Sequence, residues 1–149
     1  MQTGLITPSV IRQMPPIAIG QWLGSFAQAV RSRDIDLGRS LFAPEVVAFG
    51  TRAAAAAGLD ALVDQQWSII WNSTRGFTFR MNELHSGTGG DLCWAAVPWE
   101  SEGIGPDGRP FGRTGRASYV LQLRGERLLA IHSHHSLNPC AEKLAKAPR

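Results

Sequence analysis

The spacing of apolar residues changes once along this chain of 149 residues, at Gly76, and that change limits the folds open to it. Before Gly76 apolar residues recur every three or four positions. Pro15 and Pro16 precede Ile19, Trp22, Leu23, Phe26, Ala29 and Val30, the stripe of a helix whose first turn accepts proline. Asp34-Ile35-Asp36 starts a second, short helix with Leu37 and Leu41 inside, and Pro44 is expected to end it. Val46 to Phe49 reads as a short strand closed by Gly50. The alanine-rich residues 52–58 fit a loop or a helical turn equally well. Leu59, Leu62, Val63, Gln66, Trp67, Ile70 and Trp71 then mark a third helix, stopped by Asn72-Ser73-Thr74 and Gly76.

After Gly76 the period is two, as in half-buried strands. Phe77, Phe79 and Met81 alternate with polar residues, and a second run extends from Leu92 to Glu100. Gly105-Pro106-Asp107-Gly108 is a turn, a long strand follows from about Phe111 to Leu123, and Gly125-Glu126 makes a hairpin into Arg127 to Leu137. Asn138-Pro139 ends that strand. Three helices, a short strand slotted between them and four long antiparallel strands give an α+β layer, and a strongly curved sheet wrapped around a helix would leave a pocket at its open end.

A chain of this size is one domain that buries roughly two-thirds of its unfolded surface. We divide it into a flexible N-terminal arm (1–14), the domain (15–140) and a polar C-terminal tail (141–149). The formal charge of +3 arises from 15 basic and 12 acidic residues. The basic residues are scattered, whereas a nucleic-acid footprint needs a cluster or stripe, so no nucleic-acid partner is expected. No run of 18 apolar residues occurs, so no membrane association is expected, and without a secretory signal pattern a cytoplasmic location is expected. Cys93 and Cys140 read as free thiols, one disulfide being the alternative.

Three of the four histidines fall in Ala130-Ile131-His132-Ser133-His134-His135-Ser136. In a regular strand, side chains two apart share a face. Leu128, Ala130, His132, His134 and Ser136 then line one face, and Leu129, Ile131, Ser133, His135 and Leu137 the other. Imidazoles held side by side on a buried face need partners, which marks this strand as the candidate functional surface.

The order and spacing of several stretches resemble the nuclear transport factor 2-like, or ketosteroid isomerase-like, superfamily, in particular its SnoaL-like members. They are Trp22 with Phe26; Leu41-Phe42-Ala43-Pro44-Glu45-Val46-Val47-Ala48-Phe49-Gly50; Gly90-Asp91-Leu92-Cys93-Trp94-Ala95; Gly115-Arg116-Ala117-Ser118-Tyr119-Val120-Leu121; and Leu128 to Ser136, together spanning about residues 18 to 138. The resemblance implies a cone-shaped α+β domain, a curved antiparallel or mixed sheet around three N-terminal helices, with a central hydrophobic pocket. It also implies a homodimer formed through the sheet. Members include isomerases, cyclases, dehydratases and non-catalytic association domains, so fold narrows function little. The resemblance places His132, His134 and Ser136 inside, and related chains often carry Trp where Leu128 stands. The isomerase's aspartates have no counterparts in the matching strands, which argues against steroid isomerisation.

Two functions stay open on this reading. In one, His132 and His134 act as general acid and base on a small apolar ligand with a polar handle, in an isomerisation, dehydration or cyclisation, and Arg116 holds an anionic group. Trp67, Trp71 and Trp94 would wall the pocket, with Ser136 and Tyr119 touching the ligand, although alternation lets only one of Arg116 and Tyr119 face inward. In the other, the chain is a non-catalytic binding or association module, with Leu129, Ile131 and Leu137 on the sheet's outer face supporting the dimer. No cofactor is implied. A metal on His132 and His134 would need His85, Asp91 or Glu100 as a third ligand, and none completes a recognisable spacing, so no metal is assigned. Asp91 reads as a strand start, Glu83 and Glu100 as solvated strand residues near turns, and Asp60 and Asp64 as first-turn helix residues.

Overall fold

The first helix, α1 (Pro16–Ser32), buries Ile19, Trp22, Leu23, Phe26, Ala29 and Val30 in a computed structural model that describes residues 16–140. The expected arm and tail, 1–14 and 141–149, lie outside the described residues. Helix α2 (Ile35–Ser40) is capped by Asp34, whose carboxylate accepts from the Leu37 amide at 3.0 Å, satisfying one of the free amides of the first turn. The rings of Trp67 and Trp71 lie where a Cβ at Gly38 would come within 2.9 Å of them, so glycine is what lets α2 sit this close.

Strand β1 (Phe42–Phe49) starts before Pro44 rather than after it. Proline is tolerated there because pairing with the C-terminal strand is irregular between Phe42 and Val47, where no ladder amide is required. Of the alanine-rich stretch, Ala56–Ala57 forms a two-residue strand, β2, antiparallel to β1. The third helical stretch is composite. It runs through α3 (Leu59–Leu62), a π-helical turn (Val63–Trp67), α4 (Ser68–Ile70) and a 3-10 turn (Trp71–Ser73). Gly76, expected to end that helix, instead lies within strand β3 (Thr74–Phe79) with φ of 63°, where pairing with its neighbour also shifts.

Met81–Glu83 is a 3-10 turn, so Glu83 does not sit in a strand. Strand β4 (His85–Gly89) follows, and β5 (Leu92–Ile104), β6 (Pro110–Arg124) and β7 (Arg127–Leu137) complete a sheet ordered β2-β1-β7-β6-β5-β3, with β4 also on β5. Its pairings are antiparallel except β1 with β7. The sheet is curved and unclosed, with the helices against its inner face. Trp22, Phe26, Phe42, Trp67, Trp71, Phe77 and Tyr119 interlock as the centre of the core, Trp67 and Trp71 stacked at 4.6 Å and Trp22 edge-on to Tyr119 at 4.9 Å. The fold is the expected α+β cone.

Candidate functional site

One extra residue in β7 decides which histidine faces the core. Ala130 pairs with Leu121 and His132 with Val120, so Ile131 opposes nothing and forms a bulge. Before the bulge, Leu128 and Ala130 share the inner face with Leu123 and Leu121. After it, Ser133 and His135 face inward beside Tyr119 and Ala117. The expectation for a regular strand is therefore reversed: His132, His134 and Ser136 stand on the outer face.

His135 borders a cavity of about 50 Å³ walled by Phe26, Phe42, Trp67, Trp71, Phe77 and Trp99. Polar groups at its edge include Ser133, Thr51, Gln66, Ser101 and Arg113. Tyr119, 1% exposed, stands behind His135, and its phenol shares a hydrogen bond with His135 Nε2. Burial raises the phenol well above its ordinary range. Burial, reinforced by His134, lowers the imidazole to about 4. Both groups are thus neutral near pH 7. With the phenol donating to Nε2, the neutral ring carries its proton on Nδ1, which makes no hydrogen bond among the described residues.

Gln66 belongs to the π-helical turn and is 8% exposed. Its carbonyl accepts from the amides of Arg52 and Ala53, each at 2.8 Å, and its amide donates to Thr51 Oγ1 at 2.9 Å, tying the loop after β1 to the cavity wall. On the opposite wall Arg113 pairs across strands with Ser101. Its Cζ lies 6.0 Å from the Trp99 ring centre, and the His135 ring lies 6.2 Å from the same ring. Two glycines make this arrangement possible. A Cβ at Gly115 would fall 2.3 Å from the Trp99 ring, and one at Gly103 would fall 2.9 Å from Arg113 Cδ. Helical spacing puts Gln66 on the inner stripe of the third helix and regular alternation puts His135 on the face opposite His132 and His134, but neither spacing nor motif points to Ser101 or Arg113.

The other expected site residues divide by face. Trp67 and Trp71 wall the cavity, and Tyr119 rather than Arg116 turns inward. Arg116 is exposed and its Nε donates to Ser136 Oγ at 3.0 Å, so these two meet, but outside. Trp94 is 48% exposed on the outer face, its indole lying over Gly87. His132 Nδ1 donates to the Val47 carbonyl at 2.7 Å, and Phe49 meets the rings of His132 and His134 edge-on. Leu137 belongs to the inner-facing set at the end of β7, and Leu129 is buried, so the exposed apolar residues of the outer face include Val47, Phe49, Leu92 and Trp94 instead. Among the described residues no group of three or more His, Cys, Asp or Glu side chains could hold a metal ion. Cys93 is a buried thiol that desolvation pushes up to about 11. No described helix is long and apolar enough to cross a membrane.

No curated protein sequence matches the chain. Among solved structures, it is similar to an NTF2-like protein of unknown function from Pseudomonas putida, with 27% identity over 84% of this chain and 87% of that one, at a TM-score of 0.66. It is also similar to a nuclear transport factor 2-like superfamily protein from Salmonella enterica, with 19% identity, 83% and 90% coverage and a TM-score of 0.71. A third is the CaMKII hub of S. rosetta, with 18% identity, 85% and 99% coverage and a TM-score of 0.68. The SnoaL-like domain family profile matches residues 19–140, which take in the helices, the sheet and the bulged strand, and the chain belongs to that family.

Proposed function

We propose that this domain binds a small, mostly apolar molecule in the cavity and holds its polar handle by the neutral imidazole of His135. The observation that carries this reading is the Tyr119–His135 pair. The phenol engages one ring nitrogen and leaves the other for a ligand, inside a wall of aromatic rings. A neutral ring donating from Nδ1 can hold a carbonyl or hydroxyl oxygen. It is poorly suited to shuttling protons near neutrality, because both imidazolium and phenolate are disfavoured by burial. No carboxylate lines the cavity among the described residues, so a second acid–base partner is lacking. Binding is therefore favoured over the isomerase, dehydratase or cyclase chemistry that His132 and His134 suggested. NMR titration with fragments bearing one carbonyl or hydroxyl tests it. Shifts should appear at His135, Trp67 and Trp71 and vanish in His135→Leu, while His132 and His134 stay unmoved. Shifts confined to His132, His134 and Trp94 would overturn the reading.

A second reading, compatible with the first, is self-association through the outer face of the sheet. Val47, Phe49 and Trp94 are 43%, 38% and 48% exposed on that face, interleaved with His132, His134 and Val120 in cross-strand register. An apolar patch at the middle of a sheet face suits a second copy of the same patch. The similarity in fold to an association hub supports the idea without specifying geometry. Mass in solution is expected to be that of a dimer or larger assembly, and Trp94→Glu to shift it toward the monomer. A wild-type monomer at micromolar concentration would refute it.

A further inference from the structure

We infer that the ligand, besides the handle held by His135, carries a single negative charge as a short monocarboxylate, and that Arg113 and Ser101 receive its carboxylate while the hydrocarbon spans the cavity. The inference rests on the reading of the cavity as a ligand site and adds its chemical class. Arg113 faces the inside of the sheet, partly buried, with its aliphatic stem against Gly103 and its guanidinium beside Trp99. Burial lowers its pKa, so desolvation already costs this cation free energy. Yet it forms no ion pair and no hydrogen bond among the described residues, whereas Arg39, Arg80, Arg109 and Arg124 each sit beside a carboxylate. Glu100 and Glu102 flank Ser101 on β5, are exposed and line a neighbouring groove with Ser101 and Arg113, yet neither forms an ion pair with the guanidinium among the described residues. Directly across from Arg113, Ser101 is 8% exposed and its Oγ is buried with no hydrogen-bond partner.

A buried hydroxyl without a partner and a half-buried guanidinium without an anion are each unfavourable alone. Side by side at the edge of one cavity, they are satisfied together by one carboxylate: the guanidinium donates to it and the hydroxyl supplies a further donor. One cation and one hydroxyl suit a monoanion better than a phosphate dianion. The cavity sets the size. At about 50 Å³ it is far smaller than a drug-sized pocket and admits only a short hydrocarbon chain. Trp99 is near both groups, its ring centre 6.0 Å from Arg113 Cζ and 6.2 Å from the His135 ring.

The test uses the full chain, butyrate and its neutral counterpart butyramide, followed by NMR at the Ser101 and Arg113 amides and the Trp99 indole. Butyrate is expected to bind about tenfold or more tightly than butyramide, the ratio expected for a charge-assisted contact. Arg113→Gln should bring that ratio to about one, and Arg113→Lys should retain part of it. Ser101→Ala should weaken butyrate several-fold without lowering thermal stability, because the hydroxyl it removes has no partner to lose. Equal affinity for acid and amide, with cavity residues shifted by both, would overturn the anionic subsite and leave the cavity reading standing. If neither probe shifts a cavity residue, both fall.

Discussion

Replacing Trp67 by alanine is expected to lower the unfolding free energy by about 3–5 kcal/mol, the range for deleting a large buried aromatic. Trp67 is 3% exposed and joins three elements: it stacks on Trp71 at 4.6 Å, meets Phe42 of β1 edge-on at 4.9 Å and lies 5.8 Å from Phe26 of α1. It also fills the space that Gly38 leaves, so the α2 contact is lost with the ring. Partial collapse is opposed by rigid rings on every side, which puts the cost at the upper part of the range. The hole would merge with the existing cavity, and the variant should accept benzene-sized apolar probes that the wild type excludes. Urea unfolding measures the first effect as a lower midpoint at unchanged slope. Ile17→Ala, 66% exposed on α1 and outside the outer-face patch, serves as the reference and should cost far less. A loss below about 1 kcal/mol for Trp67→Ala would mean the stack is not what holds α1, α2 and β1 together.

Where burial imposes one period on one element, the pattern of residues was sufficient to read it. The stripe from Ile19 to Val30, the alternation in Phe77–Phe79, Leu92–Glu100 and Phe111–Leu123, and the Gly125-Glu126 hairpin all correspond to elements observed. Legibility failed where pairing, not burial, makes the structure. Strand β4 contains His85, Ser86, Gly87, Thr88 and Gly89, none of them apolar, and exists because its backbone completes the edge of β5. Pro44 reads as a helix stop because proline restricts the residue before it, whereas it lies inside β1 at a point where the ladder is irregular. The same cause moved the site. A single unpaired residue inverts every later side chain on a strand, and Ile131 does so between Ala130 and His132. The run Leu128-Leu129-Ala130-Ile131 is the available hint, since four consecutive apolar residues interrupt the alternation. Sequence thus located the strand that carries the site and the aromatic walls contributed by Trp67 and Trp71. Regular alternation put His132 and His134 inward where the bulge turns Ser133 and His135 inward, and the facing of Arg113 and Ser101 is not legible because it depends on cross-strand register.

Acidification from pH 7 to pH 4 is expected to cost this domain about 2–3 kcal/mol through His135 alone. Burial first, and the neighbouring His134 second, hold its imidazole at about 4 instead of the ordinary 6.5. Between those two values the unfolded chain binds a proton that the folded chain refuses, so stability falls as pH falls through that window and is fully present above it. Tyr119, the other titratable group against the ring, stays neutral throughout because burial raises its pKa. Glu45 contributes in a different window: Arg124 holds its carboxyl at about 2, so its share is lost only below about 4.5. His135→Gln removes the titrating ring while offering the Tyr119 phenol an oxygen to donate to. Its stability should therefore be nearly flat from pH 6.5 to 4.5, where the wild type declines. Chemical denaturation at a series of pH values, with His132→Gln as the outer-face comparison, measures the difference. Parallel curves for wild type and His135→Gln would mean the imidazole is solvated in the folded state. A ligand held by the neutral ring should keep its affinity down to about pH 5, because the free domain does not protonate His135 until about pH 4. A function that needed the imidazolium would show the opposite trend, gaining as pH falls.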